Sequence, residues 1–163
     1  MFKLVILDLD GTLWDHWDAS KLEPPFRLIN RDTLVDRKGE KLRLYPGVRT
    51  FLYSLRKCRL KVTVASWNKP SIILPILDIL DLMRFLNFYI IEYHDRKDLM
   101  IRKIINWYER ECEEIKPSEI VYIDDRDIHI KQIRENIGEV FFIMIWRDVR
   151  GYNEILEILG CVE

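Results

Sequence analysis

Residues 2–12 read FKLVILDLDGT, a short apolar run that ends in two aspartates, a glycine and a threonine. The run Phe2–Leu7 is typical of a strand that is buried on both faces of a parallel sheet. Side chains alternate along an extended chain, so we expect Asp8 and Asp10 on the same side of the strand end. Gly11 then permits a sharp turn. This stretch predicts a strand that brings two carboxylates to one edge of a sheet.

Four further runs of the same kind predict the other strands, and segments with a helical period lie between them. The predicted strands are Leu60–Ala65, Phe88–Glu92, Ile120–Ile123 and Val140–Ile145. The predicted helices are Pro46–Lys57, Ser71–Leu86, Arg96–Ile115, Asp127–Ile137 and Asn153–Leu159. Pro75 lies inside the second helical pattern, where a proline kinks a helix unless the helix begins just before it. The alternation predicts an α/β fold, a Rossmann-like three-layer sandwich with a five-stranded parallel sheet.

The connection after the first strand is unusually long, with about fifty residues where about a dozen suffice for a crossover. Within it, Leu28–Val35 and Lys41–Leu44 flank the turn-forming segment Asp36–Gly39, which predicts a β-hairpin. We therefore expect a small lid at about residues 14–45, inserted into a single domain that covers residues 1–163.

The charges of the chain are balanced, with 26 Lys and Arg against 27 Asp and Glu and a net charge of -1. This balance supplies no overall field for DNA, RNA or an anionic membrane, so we expect neither nucleic acid nor membrane as a partner. The segment from Arg27 to Arg49 is a local exception, with seven basic and three acidic residues. It is typical either of a solvated hairpin or of a lid that attracts an anionic substrate.

The three cysteines, Cys58, Cys112 and Cys161, form no CxxC pair and are odd in number. This argues against a disulfide framework and a zinc site, so we expect small core residues or surface thiols in a reducing compartment. No apolar run approaches the roughly 18 residues of a membrane span, and the first residues lack a signal-peptide cleavage site. The expected location is the cytoplasm.

Polar residues follow the predicted strands at the sheet edge where α/β folds bind ligands. They are Asp8 and Asp10 after the first strand, Ser66, Trp67 and Asn68 after the second, Lys97 after the third, and Asp124 and Asp125 after the fourth. Clustered carboxylates repel one another unless a cation is present, and oxygen ligands without His or Cys favour Mg²⁺ as the cofactor. Lys97 and the Ser66 hydroxyl would bind the phosphate oxygens that the metal does not reach. The sequence therefore predicts a pocket for a phosphoryl group.

Four ordered motifs, Asp8–Thr12, Ser66, Lys97 and Asp124–Asp125, resemble those of the haloacid dehalogenase superfamily of phosphatases. Within it the chain is most similar to the magnesium-dependent phosphatase family. The residues that carry this narrower resemblance are Asp8–Trp14, Pro24–Phe26, Tyr45–Val48, Ala65–Ser66 and Tyr93–Lys97. Gly11 stands where that family tends to have an aromatic residue, and Trp67 where it tends to have Arg, so the substrate preference is left open.

The resemblance implies Mg²⁺-dependent hydrolysis of phosphomonoesters, such as phosphotyrosine in proteins or small sugar-type phosphates. Asp8 would attack phosphorus to form an aspartyl-phosphate, and Asp10 would act as general acid and then as general base. The residues implied at the substrate phosphate are Ser66, Trp67, Asn68 and Lys97. The implied metal ligands are Asp8, Asp124 and Asp10, the last through its backbone carbonyl. Thr12 and Asp125 are expected beside them in supporting positions, Asp125 through a water molecule or by orienting Lys97.

Two other functions are compatible with parts of this pattern. A non-catalytic receiver domain also carries a phosphate on Asp, but its acceptor follows the third strand, where this chain has Tyr93 and His94. A nucleic-acid end phosphatase would use the basic hairpin to follow the backbone of its substrate. His94 also fits a solvated loop, and Trp14, Trp17 and Trp67 also fit packing positions. The oligomeric state is left open.

Overall fold

The computed structural model describes residues 1–162, which form a parallel sheet between two layers of helices and a smaller antiparallel sheet. The strands are β1 (Leu4–Leu7), β2 (Trp14–Asp15), β3 (Arg27–Asn30), β4 (Thr33–Val35), β5 (Lys41–Leu44), β6 (Lys61–Trp67), β7 (Phe88–Glu92), β8 (Ile120–Asp124) and β9 (Phe141–Met144). The helices are α1 (Val48–Lys57), α2 (Pro70–Ile79), α3 (Lys97–Arg110), α4 (Ile130–Asn136) and α5 (Tyr152–Leu159).

The large sheet has the strand order β7-β6-β1-β8-β9, and all neighbours are parallel. All four residues of β1 are buried, with Leu4 and Ile6 in one hydrophobic cluster and Val5 and Leu7 in the other. Alternate side chains of β1 thus pack on opposite faces of the sheet, as expected for a buried parallel strand. The predicted Rossmann-like α/β sandwich with five parallel strands is confirmed. Because β1 is central, the ends of β6 and β8 lie on either side of its own end.

The lid is a four-stranded antiparallel sheet with the order β2-β5-β4-β3, larger than the predicted two-stranded hairpin. The segment Leu28–Val35, expected as one strand, turns at Arg31–Asp32, where the Asn30 side chain accepts the Asp32 N–H at 2.9 Å. Such a local side-chain bond offers the backbone a turn in place of a continued strand. The turn between β4 and β5 lies where Asp36–Gly39 predicted it.

Two predicted helices differ in extent from the observed ones. Helix α2 begins at Pro70 and continues through Pro75, whose side chain lies on the exposed side of the helix, but it ends at Ile79 instead of Leu86. Helix α3 ends at Arg110 instead of Ile115, and Cys112 then takes a positive φ of 61°. A residue in this left-handed conformation stops a helix. None of the helices in residues 1–162 is long and apolar enough to cross a membrane.

The expectation about the cysteines was wrong for two of the three. Cys58, directly after α1, and Cys161, after α5, form a disulfide with their Cα atoms 5.8 Å apart. Cys112 is an exposed free thiol. No local pattern indicates this pair, because 103 residues separate the two cysteines and only the packing of α1 against α5 brings them together.

Candidate active site

The first strand ends in a tight loop that fixes the two aspartates at the sheet edge. The Asp8 N–H donates to the Ile123 carbonyl at 3.0 Å, which extends the parallel ladder one residue beyond β1. The chain then turns, with the N–H groups of Thr12 and Leu13 both donating to the Leu9 carbonyl, at 3.0 and 2.9 Å. This turn ends the extended backbone. It leaves Asp8, which is only 4% exposed, at the carboxyl end of the parallel strands.

Asp8, Asp124 and Asp125 form an acidic cluster in which one oxygen of each carboxylate lies within 4.8 Å of the others. Burial and the nearby charge of Asp124 raise the pKa of Asp8 to about 7, although Lys97 opposes the change. Burial and the same neighbour raise the pKa of Asp125 to about 6. Carboxylates held this close are costly to ionise together, and a divalent cation offsets that cost. The cluster therefore has the chemistry of a metal site made of oxygen ligands.

Lys97 supplies the positive charge beside this cluster. It is the first residue of α3, and it is completely buried. Its ammonium donates to Asp8 Oδ1 at 2.6 Å and to the Ala65 carbonyl, and it lies 4.0 Å from Asp124 Oδ2. A buried ammonium needs such partners, because an unpaired charge would be expensive to remove from water. The structure thus brings Lys97 to Asp8, as the sequence predicted.

Asp10 lies apart from the three-carboxylate cluster and is held by the lid. Its Oδ1 accepts the Trp14 Nε1–H at 2.7 Å, and both its oxygens lie 3.3 Å from the Ala19 backbone nitrogen. The Asn68 side chain donates to Asp10 Oδ2 at 3.0 Å. The side chain is therefore oriented from several directions, while its contact with a metal through the backbone carbonyl stays a prediction.

Ser66 and Asn68, at the end of β6, are linked to Asp10 by hydrogen bonds. Both are buried, and Asn68 Nδ2 donates to Ser66 Oγ at 2.9 Å as well as to Asp10. Ser20, which was not among the predicted site residues, donates its hydroxyl to Asn68 Oδ1 and so fixes the amide orientation. Trp67 behaves differently, since it is 40% exposed and packs edge-on against the His129 ring. Its place at a substrate phosphate stays a prediction.

Thr12 lies in the turn after β1, and Asp125 is a member of the acidic cluster, while the supporting roles of both stay predictions. Thr12 is fully buried, and its hydroxyl has no hydrogen-bond partner within residues 1–162. Asp125 Oδ1 is likewise buried without a partner in that range. Gly11 has a φ of +68°, and a Cβ added there would lie 2.8 Å from the Asp125 carboxyl carbon. Glycine is therefore required both for the turn and for the approach of Asp125.

A cleft of about 260 Å³ opens over Asp10 and Asp125. Its other walls carry the aromatic side chains of Trp17, Tyr45 and Trp146, with Gly11, Asp15, His16 and Arg126. Tyr45, Arg126 and Trp146 were not among the predicted site residues. Trp146 follows the end of β9 at the same sheet edge, so the rule that selected the other strand ends could have found it.

Trp146 connects the loop after β9 to the loop after β1. Its Nε1–H donates to the Gly11 carbonyl at 2.7 Å, and its ring lies 4.7 Å, centroid to centroid, from that of Tyr45. Trp146 has a positive φ of 72°, which is unusual for a large residue and points the indole back over Gly11. It therefore holds one wall of the cleft against the turn that carries Asp10.

Two further residues lie beside the acidic cluster without having been predicted. Tyr122 is buried in β8 and donates its hydroxyl to Asp124 Oδ2, and burial together with the Asp124 charge raises its pKa well above the ordinary value. His129 is 4% exposed, and burial followed by the charge of Lys97 lowers its pKa. His94, by contrast, lies beside Glu92 with its Nε2 at 3.4 Å from a carboxylate oxygen.

The sequence matches known proteins over most of its length. A family model described as Acid Phosphatase matches residues 1–153. Magnesium-dependent phosphatase 1 of Homo sapiens is 37% identical over 86 residues, which cover 51% of this chain and 48% of that protein. A HAD-like hydrolase superfamily protein of Schizosaccharomyces pombe is 33% identical over 66 residues, 39% of this chain and 38% of that protein. The matched part thus spans less than half the length of either relative.

Solved structures share the fold at low sequence identity. A HAD-superfamily hydrolase from Geobacter sulfurreducens superposes with a TM-score of 0.67 at 15% identity, over 97% of this chain and all of that one. The N-terminal part of a Bacteroides fragilis protein, which contains a phosphatase domain and was solved with Mg, gives 0.61 at 19% identity, over 98% of this chain and 40% of that one. The fold is common to all three, and on the match over residues 1–153 the chain belongs to the acid phosphatase family.

Proposed function

We propose that this protein is a Mg²⁺-dependent phosphomonoester hydrolase that works through an aspartyl-phosphate. The observation that carries the proposal is the arrangement of Asp8, with a buried ammonium on one of its oxygens and two further carboxylates beside it. A nucleophilic carboxylate, a fixed positive charge and a metal site at one point are the components that phosphoryl transfer requires. The human relative is named a magnesium-dependent phosphatase, which agrees with the proposal.

The residues present fit a magnesium ion. Asp8, Asp124 and Asp125 offer only oxygen ligands, and Asp125 Oδ1 is buried with no hydrogen bond from residues 1–162. We assign Asp8, Asp124 and the Asp10 carbonyl as ligands, with Asp125 and Thr12 supporting them. When bound, the ion neutralises charge on the carboxylates and on the phosphoryl oxygens.

In the first step an Asp8 oxygen bonds to phosphorus while the bond between phosphorus and the leaving oxygen breaks. Lys97 binds Asp8 Oδ1 and so orients the carboxylate. Asp10 gives a proton to the leaving oxygen, and its own position is set by Trp14 and Asn68. In the second step water attacks phosphorus, Asp10 takes the proton back, and the bond to Asp8 breaks. Phosphate leaves and both carboxyl groups return to their starting states.

The phosphoryl oxygens would be bound by Ser66, Asn68 and Lys97, which are all buried. Trp67, which is 40% exposed, would contact the substrate beyond the phosphate. The cleft lined by Trp17, Tyr45 and Trp146 suits a leaving group with a flat ring, because aromatic faces pack well against such groups. Phosphotyrosine in proteins and small sugar-type phosphates are therefore our proposed substrates.

A cytoplasmic location stays part of this proposal. The Cys58–Cys161 disulfide bears on it, because such bonds are rare in the cytosol outside hyperthermophiles. Trapping the thiols with an alkylating reagent in intact cells, before lysis, would report the state of both cysteines. If both cysteines are alkylated in a cytosolic fraction, the thiols are reduced there, which agrees with a cytoplasmic location. The disulfide would then form only outside the cytosol.

The direct test is phosphate release from p-nitrophenyl phosphate in Mg²⁺ and in EDTA, with Asp8→Asn, Asp10→Asn and the exposed-surface control Asp78→Asn. We expect metal-dependent turnover in the parent and the control, and a loss of at least a hundredfold in the two site variants. Full activity in Asp8→Asn would show that Asp8 is not the nucleophile. Turnover that is unchanged by EDTA would contradict the proposed Mg²⁺ requirement.

A further inference from the structure

The outer face of the lid carries positively charged side chains that form no ion pair within residues 1–162. Direct Cα partners in an antiparallel sheet share a face, and Val35 on β4 pairs with both Arg27 on β3 and Lys41 on β5. Thr33 pairs in the same way with Arg43, two residues from Lys41. Arg31, in the turn between β3 and β4, lines the same groove as Lys41 and Arg43. We call Arg27, Arg31, Lys41 and Arg43 the cationic face.

None of these four side chains makes an ion pair or a hydrogen bond with another side chain in residues 1–162, and all four are exposed. The other cations of the lid are different, because Arg37 and Lys38 both pair with Glu23. Thr33 and Val35, on the same face, are each only 8% exposed, so the long side chains beside them cover the sheet while their charged groups reach solvent. The groove lined by Arg31, Lys41 and Arg43 has a volume of about 650 Å³, and Asp32, which also lines it, is paired with Arg49.

The cationic face adjoins the active-site cleft. Asp15 on β2 is the Cα partner of Arg43 and also lines the cleft, so one strand spacing of about 4.8 Å separates the two. Across the sheet the face extends two strand spacings, roughly 10 Å, from β5 to β3. An extended chain covers that distance with about three residues. A macromolecule bound at the active site would therefore lie over these cations.

We propose that the cationic face binds an acidic segment of a protein substrate, close in sequence to the phosphorylated residue. This inference rests on the proposed phosphatase function and names the class of its substrate. Four unpaired cations beside a pocket for a phosphoryl group match a chain that carries several carboxylates.

Asp15 favours a protein over a nucleic acid. A nucleic-acid strand has a phosphate at every nucleotide and would bring one close to this carboxylate at the border between cleft and cationic face. A protein can place a neutral residue there and its acidic residues beyond. The net charge of -1 for the whole chain also gives a long polyanion little to bind outside the lid.

The test compares two phosphotyrosine peptides that differ only in a flanking segment, Asp and Glu in one and Asn and Gln in the other. The readout is the ratio of kcat/KM for the acidic peptide to that for the neutral one. We expect a ratio of about ten in the parent at low salt, and a fall toward one in 0.5 M NaCl, where exposed charges are screened. Equal kcat/KM values for the two peptides at low salt would overturn the proposal.

Two double variants of equal charge change locate the effect. Lys41→Gln with Arg43→Gln should bring the ratio close to one. Arg110→Gln with Lys116→Gln is the matched control. Lys116 precedes β8 at the sheet edge opposite to that of Asp124, and Arg110 lies at the opposite end of α3 from Lys97, roughly 20 Å away. The control should keep the parent ratio, and a fall of the same size in both double variants would overturn the proposal.

Two further arms separate this proposal from its alternatives. Binding of the unphosphorylated acidic peptide, followed by fluorescence anisotropy, does not require turnover. If p-nitrophenyl phosphate is not hydrolysed but this peptide binds through Lys41 and Arg43, the phosphatase function fails and the docking face stands. An end-phosphorylated single-stranded oligonucleotide hydrolysed with a higher kcat/KM than the acidic peptide, and dependent on the same two residues, would overturn the protein assignment.

Discussion

The buried carboxylate of Asp8 leads to a prediction about stability that is independent of turnover. Its pKa is raised from 3.8 to about 7, by burial first and by Asp124 second. A raised acid pKa means that the folded state holds the proton more tightly than the unfolded state. Stability is therefore full at low pH and is lost as the pH rises from the unfolded to the folded pKa. Complete ionisation of Asp8 in the metal-free protein costs about 4 kcal/mol, of which about 3 kcal/mol falls between pH 5 and pH 8.

Asp8→Asn removes this cost, because the amide resembles the protonated acid and does not ionise. Asp8→Asn also removes the carboxylate that pairs with Lys97, a loss that changes little with pH in this range. In EDTA we therefore expect the free energy of unfolding of Asp8→Asn, relative to that of the parent, to be about 3 kcal/mol higher at pH 8 than at pH 5. Urea unfolding at the two pH values gives the four free energies of unfolding. Asp78→Asn, on the exposed side of α2, is the control and should follow the parent at both values. Saturating Mg²⁺ should stabilise the parent at pH 8 more than Asp8→Asn. A difference between parent and Asp8→Asn that does not change with pH would refute this reasoning.

Three substitutions test other contacts. Gly11→Ala should lower the metal-dependent activity at least tenfold, since a Cβ there meets Asp125, whereas Gly39→Ala, with a similar positive φ but open space, should cost only about 1 kcal/mol of stability. Asp36→Ala should cost about 2 kcal/mol in urea unfolding, because this carboxylate accepts the N–H groups of Glu23, Lys38 and Glu40. Trp146→Phe should lower kcat/KM about fivefold, the value of one lost hydrogen bond, with little change in Tm.

Each of these outcomes has a result that would contradict it. Equal activity in Gly11→Ala and Gly39→Ala would mean that Asp125 moves aside without consequence. An Asp36→Ala protein as stable as the parent would show that its three acceptor bonds are replaced by water. A Trp146→Phe protein with unchanged kcat/KM would show that the hydrogen bond to the Gly11 carbonyl does not position the loop.

The parallel sheet could be predicted from the sequence because a strand that is buried on both faces requires a continuous run of apolar residues. All five predicted strands agree with the structure to within two residues at each end, and the prediction Phe88–Glu92 agrees at both ends. The lid was harder, because the turn at Arg31 depends on a single Asn30 side chain. The Cys58–Cys161 bond was missed because nothing local marks a contact across 103 residues.

The residues of the candidate site also fall into two groups, those that could be predicted from the sequence and those that could not. Asp8 and Lys97 follow strands, and Ser66 and Asp124 lie in the last residues of strands, so sheet topology alone brings them together. Ser20, Tyr122 and Trp146 act on other side chains through hydrogen bonds that depend on packing between distant elements. No periodicity in the sequence encodes these contacts. Residues at strand ends could therefore be predicted from the sequence. Residues that orient a neighbouring side chain or loop, such as Ser20 and Tyr122, could not.

The lid is better understood as a fixed wall than as a cover that opens. Its inner face places Leu34, Leu42 and Leu44, each no more than 2% exposed, in the hydrophobic cluster that also contains Leu7. Exposing the three leucines would cost about 6 kcal/mol, so an open state would be populated in roughly one molecule in ten thousand. Trp14 belongs to the same cluster and holds Asp10 through its indole N–H. Packing of the lid against the sheet therefore fixes the orientation of the proposed general acid, and it also holds the cationic face at a constant distance from the cleft.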